Sequence, residues 1–257
     1  MRNIGIIPAR MASSRYPGKP LANIHGIPMI GHVYFRSKMS NVLDEVYIAT
    51  CDQEIMDYAA SIGAKAIMTK DTHERASDRA AEAMLKAEQE SGKKCDIVVM
   101  IQGDEPMLDP RMIEAAVNPL MADKVIMVSN LMAPMSREEQ NDPNEVKVVF
   151  DQQGFALYFS REPIPSWKKG AKEVPMFKQV CVIPFRRDFL LKFNELEPTP
   201  LEIVESVDML RVLEHGYKVK LIRSDLETYS VDTLEDLQEV EAAMRGDKLM
   251  TKYRVKE

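Results

Sequence analysis

Short apolar runs alternate with helix-period stretches from the start of the chain. NIGIIP at 3–8, EVYIAT at 45–50, KAIM at 65–68 and CDIVVMIQ at 95–102 have the length and β-branched content of buried strands. Between them the apolar positions recur at helical spacing. One helix is expected from Pro28, with Ile30, Val33, Tyr34 and Ser37 on one side, and others over 53–62 and 77–90. The last of these puts Ala80, Ala81, Met84 and Leu85 on one face. Strand followed by helix, repeated, predicts right-handed crossovers and a mostly parallel sheet, so the fold class is α/β.

The second half is less regular. VIMVSNLM at 125–132, EVKVVF at 145–150, FALYFS at 155–160 and KQVCVIPF at 178–185 read as strands with only short helical pieces nearby, which predicts a mixed sheet. From Arg161 to Lys178 the chain holds three prolines, a glycine and its single tryptophan, Trp167, so this stretch is expected to be an exposed excursion able to meet another subunit. Helix returns over 200–214, where Ile203, Val207 and Leu210 share a face. It returns again over 233–244, opened by a Thr233/Asp236 capping box. No repeat or composition break divides the sequence. The expected organisation is one domain over 1–246 with an arm at about 133–185, and a charged, loosely held tail over 247–257.

Composition narrows the class. Apolar residues make up 45% and charged residues 29%, enough for a sizeable core. The 34 basic against 40 acidic residues leave a net charge of −6, which argues against nucleic acid or an anionic membrane as partner. Cys51, Cys95 and Cys181 lack the spacing of a disulfide framework or zinc site. No segment approaches the roughly 20 apolar residues of a membrane span, and the first residues lack a signal-peptide run, so no membrane insertion and a cytoplasmic location are expected. The 18 methionines are scattered over apolar faces as gap-fillers. His25, His32, His73 and His215 have no metal or triad spacing and read as structural or surface residues.

Two places concentrate candidate chemistry. The loop after the first strand, PARMASSRYPGKP, carries Arg10, Arg15 and Lys19 among small residues. Such a loop at the carboxyl end of a parallel strand suits a polyanion, and it also suits a solvated basic turn. It has neither P-loop nor GxGxxG spacing. The strand ending in IQGDEP at 101–106 delivers Gln102, Asp104 and Glu105 to the same kind of position. Hard divalent cations take one or two carboxylates and complete their shell with water and phosphate, so Asp104 is a candidate ligand or part of an acidic turn. Asp232 in YSVDTLED is a second such carboxylate, or the N-cap of the last helix.

These residues carry a resemblance. IIPAR, ASSR and PGKPL within 6–21, PMI and HV within 28–33, IQGDEPM at 101–107, NDPNEVKVV at 141–149, ALYFSR at 156–161, PLE at 200–202, LRVL at 210–213 and VDT with EDL within 231–237 follow one another as in the nucleotidyltransferases that activate sugar acids with CTP. The chain most resembles the 3-deoxy-manno-octulosonate cytidylyltransferases. The resemblance implies a Rossmann-like nucleotide-diphospho-sugar transferase fold, a homodimer formed partly through the arm, and Mg²⁺-dependent transfer of CMP. In that reaction the anomeric hydroxyl of the acid attacks the α-phosphorus of CTP and pyrophosphate leaves. By matching position Arg10, Arg15 and Lys19 would hold the triphosphate, and Ser13 would bind substrate. Asp104 and Asp232 would ligate Mg²⁺, Gln102 would lie between cytidine and sugar, and Arg79 would line the nucleotide side.

Two stretches depart from the family pattern. The expected Ser-Gly-Thr-(Glu/Asp)-Arg is Arg75-Ala76-Ser77-Asp78-Arg79 here. In the acceptor segment a histidine and a tyrosine are replaced by Gln179 and Phe185, which lose a positive charge and a hydroxyl that would face the sugar. Glu202 and Glu205 are expected to bond sugar hydroxyls, or an amino group in an 8-amino acceptor. Arg161 reads either as an acceptor-carboxylate ligand or as a packing cation. The expected function is CMP transfer to 3-deoxy-manno-octulosonate or a close analogue for surface polysaccharide. Alternatives are a nonulosonate or phosphonate acceptor, or a nucleotide-binding protein without turnover.

Overall fold

The computed structural model describes residues 1–12, 16–166 and 174–254, which form two compact units, Met1–Glu114 with Thr228–Glu257 and Ala115–Glu227. The first opens with β1 (Asn3–Ala9), a hairpin of β2 (Asn23–Ile24) and β3 (Ile27–Pro28), and α1 (Met29–Lys38). His25 and Gly26, both at positive φ, make the two-residue hairpin turn. Then come β4 (Glu45–Thr50), α2 (Gln53–Ser61), β5 (Lys65–Met68), α3 (Ala76–Ser91) and β6 (Ile97–Ile101). The strands pair in parallel in the order β6-β1-β4-β5, with Ile6 opposite both Tyr47 and Met100. β1 and β6 are apolar along nearly their whole length because helices cover the sheet, as parallel strands buried on both faces require.

α4 (Pro110–Ala122) leads into the second unit, whose strands are β7 (Ser129–Pro134), β8 (Lys147–Phe150), β9 (Ala156–Ser160), β10 (Phe177–Val180), β11 (Val182–Arg186) and, further on, β12 (Lys220–Arg223). Its helices are α5 (Arg187–Glu195), α6 (Pro200–Glu205) and α7 (Met209–Glu214). The sheet is mixed: β12 runs parallel to β7, while β7, β10, β8 and β9 are antiparallel neighbours in that order. The stretch expected as an arm therefore supplies three strands of this sheet, and Trp167 lies outside the described residues. Two expected elements are each divided. KQVCVIPF is two strands that part at Cys181, and the helix over 200–214 is α6 and α7, separated where Ser206 takes φ 52° in the left-handed region. That turn rotates Ile203 away from the apolar face, leaving it 64% exposed while Val207 and Leu210 are buried.

The chain returns to the first unit with α8 (Leu234–Ala243), whose Thr233 hydroxyl accepts the Asp236 N–H while Asp236 accepts the Thr233 N–H at 2.7 Å. Leu237, Val240 and Met244 pack with Ile24, Met29 and Val231. The tail over 247–254 is not loosely held. Asp247 pairs with the buried Arg36 at 2.9 Å, Met250 joins the core, and the Tyr253 ring stacks on Phe35 with centroids 5.3 Å apart. No described helix is long and apolar enough to cross a membrane.

The tail closes a hydrogen-bond chain with α1. His32 Nε2 lies 2.9 Å from the Ile24 carbonyl, which can only accept, so Nε2 carries the hydrogen and Nδ1 accepts from the Tyr253 hydroxyl at 2.8 Å. Arg36 Nε donates to that hydroxyl in turn at 3.2 Å. Burial, with Arg36 and His25 nearby, pushes the His32 imidazole down to about 4. The unfolded chain therefore takes up a proton below its ordinary value that the folded chain refuses, and stability falls as the pH drops from about 6.5 toward 4. At about pH 5 the expected loss is about 2 kcal/mol, read as a falling thermal midpoint, and His32→Gln should flatten the profile above about pH 5. A wild-type midpoint constant over that interval would show that His32 is not held neutral.

Candidate active site

The site of the first unit is built at the carboxyl ends of β1 and β6. β1 releases the chain at Ala9 into the basic loop, which Asp52 anchors by accepting the Met11 N–H at 2.7 Å. The loop turns at Gly18, φ 77°, and Lys19 begins a short 3-10 turn. β6 ends at Ile101, and Gly103 then passes so close to β1 that an added Cβ would lie 3.2 Å from the Pro8 carbonyl oxygen and 3.0 Å from Ile30. A side chain at Gly103 would push Asp104 from its place. The segment before α8 arrives alongside, its Val231 N–H donating to the Asp104 carbonyl at 2.9 Å.

Lys19 joins these three pieces. Its Nζ donates to Asp104 Oδ2 at 3.0 Å, to Asp232 Oδ1 at 3.2 Å and to the Val231 carbonyl at 2.7 Å, so all three ammonium hydrogens have acceptors. Asp232 is not the cap of α8, a role taken by Thr233, and its carboxylate serves the cluster instead. Two carboxylates meet one ammonium, leaving a net negative charge. Asp104 Oδ1 is buried with no hydrogen-bond partner. Such an orphaned oxygen fits a hard cation. Among the described residues no group of three or more His, Cys, Asp or Glu forms a cage, so a cation held here takes its remaining ligands from water and substrate, as Mg²⁺ does.

A cleft of about 370 Å³ runs from this cluster to the turn between β5 and α3. Arg10, Lys19, Gln102, Asp104, Asp232 and Arg79 all line it, bringing six of the expected site residues together. Arg79 lies at its wall. Its guanidinium donates to the Thr69 hydroxyl and, at 3.3 Å, to the Lys70 carbonyl, fixing the turn that follows β5. Ser13 and Arg15 lie outside the described residues. Arg75, which the sequence offers as an added cation near the nucleotide or a solvated one, lines the cleft, as does His73, which sequence spacing missed because nothing in the local text separates it from a solvated turn. The one available signal for His73 is that it stands two residues before the departed family motif at 75–79.

The acceptor-side expectations belong to the second unit, and the structure corrects several. Glu202 is fully buried. Both of its oxygens take Arg211, from Nε and Nη2 at 2.7 Å each, and Oε2 also accepts the Thr199 N–H that opens α6. It is therefore a structural ion pair and not a sugar ligand. Phe185 is also fully buried, its ring 5.7 Å from that of Phe193, so it cannot touch a bound acid where it stands. Glu205 accepts from the hydroxyls of Tyr158 and Ser160 at 3.1 and 2.8 Å and from the Arg161 N–H at 2.8 Å. These bonds outweigh burial and hold its carboxyl below the usual range. Arg161 is a packing cation, with its guanidinium on the carbonyls of Glu205, Pro143 and Ser206. Of this group Gln179 alone keeps a half-buried amide, and its Nε2 donates to Asn130 Oδ1 at 2.5 Å.

The family model described as Cytidylyltransferase matches residues 4–222. A 3-deoxy-manno-octulosonate cytidylyltransferase of Syntrophotalea carbinolica is 43% identical over 250 residues, covering 94% of this chain and 98% of its own. The enzyme of the same description from Syntrophobacter fumaroxidans is 45% identical over 249 residues, covering 96% and 98%. The solved structure of a CMP:2-keto-3-deoxy-manno-octonic acid synthetase complexed with CTP superposes with a TM-score of 0.89 at 37% identity, over 96% of this chain and all of that one.

The buried pair gives a direct test of the corrected assignment. Removing one partner of such a pair strands the other charge and costs about 3–5 kcal/mol. Glu202→Ala should therefore lower the unfolding free energy by that amount in urea titration. A Glu202→Ala protein of wild-type stability would return this carboxylate to the list of ligand candidates.

Proposed function

The chain belongs to the cytidylyltransferase family, among the 3-deoxy-manno-octulosonate cytidylyltransferases, and from that premise we propose that it transfers CMP from CTP to 3-deoxy-manno-octulosonate with release of pyrophosphate. The observation that carries the proposal is the cluster of Lys19, Asp104 and Asp232 at one end of a cleft lined also by Arg10. The neighbour bearing CTP supports the nucleotide, and the names of the relatives support the acid. A homodimer, implied by the family resemblance, belongs to the same proposal.

The chain's own groups divide the work. Arg10, exposed at the end of β1, offers a fork of donors to phosphate oxygens. Lys19 holds Asp104 and Asp232 on either side of one ammonium, so their positions are set before any substrate arrives. Because charge accumulates on phosphate oxygens during transfer, groups fixed beforehand stabilise it without reorganising at the moment of reaction. Asp104 and Asp232 would hold Mg²⁺, which when bound supplies Lewis-acid polarisation of the phosphoryl oxygens. Gln102 carries a neutral amide to the cleft, suited to orienting a hydroxyl or carbonyl of a substrate.

Pyrophosphate release from CTP, Mg²⁺ and 3-deoxy-manno-octulosonate is the assay. Asp104→Asn keeps the size of the side chain and an acceptor for Lys19, and should lower kcat by at least about 100-fold with little change in the thermal midpoint. Full activity in that variant would remove Asp104 from the reaction. Release with an 8-amino analogue, a nonulosonate or a phosphonate, but none with 3-deoxy-manno-octulosonate, would overturn the acceptor.

A further inference from the structure

One cleft residue has no part in phosphate transfer as described. His73 lies in the turn between β5 and α3, and its Nε2 bonds Glu82 Oε2 on the second turn of that helix. The same carboxylate accepts the Lys70 N–H at 2.9 Å and, through Oε1, the Lys86 ammonium at 2.8 Å. Burial works against the charge of Glu82, but the bonds from Lys86, Lys70 and His73 prevail and bring it down to about 2. A carboxylate has only lone pairs to offer, so the hydrogen between the two groups sits on His73 Nε2. In the neutral ring Nδ1 is then a bare acceptor, and no partner for it occurs among the described residues.

Its place along the cleft matters as much as its tautomer. In the strand order β6-β1-β4-β5, β5 stands three positions from β6, about 14 Å across the sheet at roughly 4.8 Å per strand. The His73 turn thus lies at the side of the sheet away from the end of β6, where Asp104 stands. A nucleotide with its phosphates at Lys19 and the two carboxylates extends its ribose and base toward this turn. Phosphate oxygens are acceptors and gain nothing from Nδ1. The group that matches an acceptor at this end is an N–H donor on the base.

We propose that His73 reads the nucleobase, its Nδ1 accepting a hydrogen bond from the exocyclic amino group of cytosine, with Glu82 as the positioning residue that fixes the tautomer. The inference rests on CTP being the nucleotide substrate. Uracil presents a carbonyl oxygen where cytosine presents the amino group, so UTP would set acceptor against acceptor. A site that leaves a polar pair unsatisfied with the wrong ligand discriminates against that ligand.

The test is calorimetric binding of CTP and of UTP, each with Mg²⁺ and no acceptor, so that no outcome depends on turnover. Wild-type protein should bind CTP at least about tenfold more tightly than UTP, and His73→Ala should bring the two within about threefold by weakening CTP and relieving the mismatch with UTP. Glu82→Ala should erode the preference in the same direction. A fold damaged at this turn would weaken both nucleotides together and leave their ratio, so an unchanged ratio in His73→Ala overturns the proposal while CTP-dependent transfer stands. Absence of any CTP binding by the wild type overturns both readings. Should His73→Ala fail to fold, nitrogen-15 spectra of the wild-type histidines decide. The Nδ1 signal of His73 must move with CTP and not with UTP, and an equal response to both nucleotides sinks the assignment.

Discussion

The first unit depends on one ammonium group. Lys19 follows β1, Asp104 follows β6 and Asp232 precedes α8, and these pieces are separated in sequence by 85 and 213 positions from the lysine. Two carboxylates this close would repel one another without a cation between them. With Lys19 present, each is drawn to the same point, the Val231 carbonyl completes the ammonium, and the ends of two parallel strands and the last helix are joined. The crevice at the carboxyl ends of a parallel sheet is where α/β proteins bind nucleotides, and here the chemistry and the topology select the same place.

The second unit shows how similar residue types are used for a different purpose. Glu202 with Arg211, Glu205 with Tyr158, Ser160 and Arg161, and Lys178 with Glu145 at 2.9 Å are charged groups whose partners are all protein. Burial makes each uncompensated charge expensive, so nearly every lone pair is matched. A carboxylate already accepting three hydrogen bonds has little left for a sugar. A fully buried Lys147 obeys the same rule, with its ammonium on the carbonyls of Asp142 and Arg161.

Much of this was legible in the chain, for reasons that can be named. β1, β4 and β6 are buried along nearly their whole length because both faces are covered, and such runs stand out in any sequence. The Thr233/Asp236 box marked the start of α8 to the residue. The breaks at Cys181 and Ser206 were not legible, since apolar spacing continues across both and the left-handed turn falls on a serine instead of a glycine. The family motifs gathered Arg10, Lys19, Gln102, Asp104 and Asp232, which the fold brings to one cleft. They could not separate a ligand from a structural ion pair. Glu202 and Glu205 lie in the same six-residue helix as matching text, and their partners on α7 and β9 are fixed only by tertiary packing. His73 was hidden for the same reason, as its meaning comes from Glu82 across a turn.

The division of the chain has a consequence for the order in which the protein is made. The first unit is discontinuous, with Thr228–Glu257 completing what Met1–Glu114 begins. On a ribosome, β1, Lys19 and Asp104 emerge early, but Asp232 follows only after the whole of Ala115–Glu227 has been synthesised. The intervening unit is continuous and can reach its own packed state first, while the opening strands wait with Met29 and Ile24 lacking their α8 neighbours. A nascent chain stalled before Asp232 would carry Lys19 and Asp104 without the second carboxylate that completes their cluster.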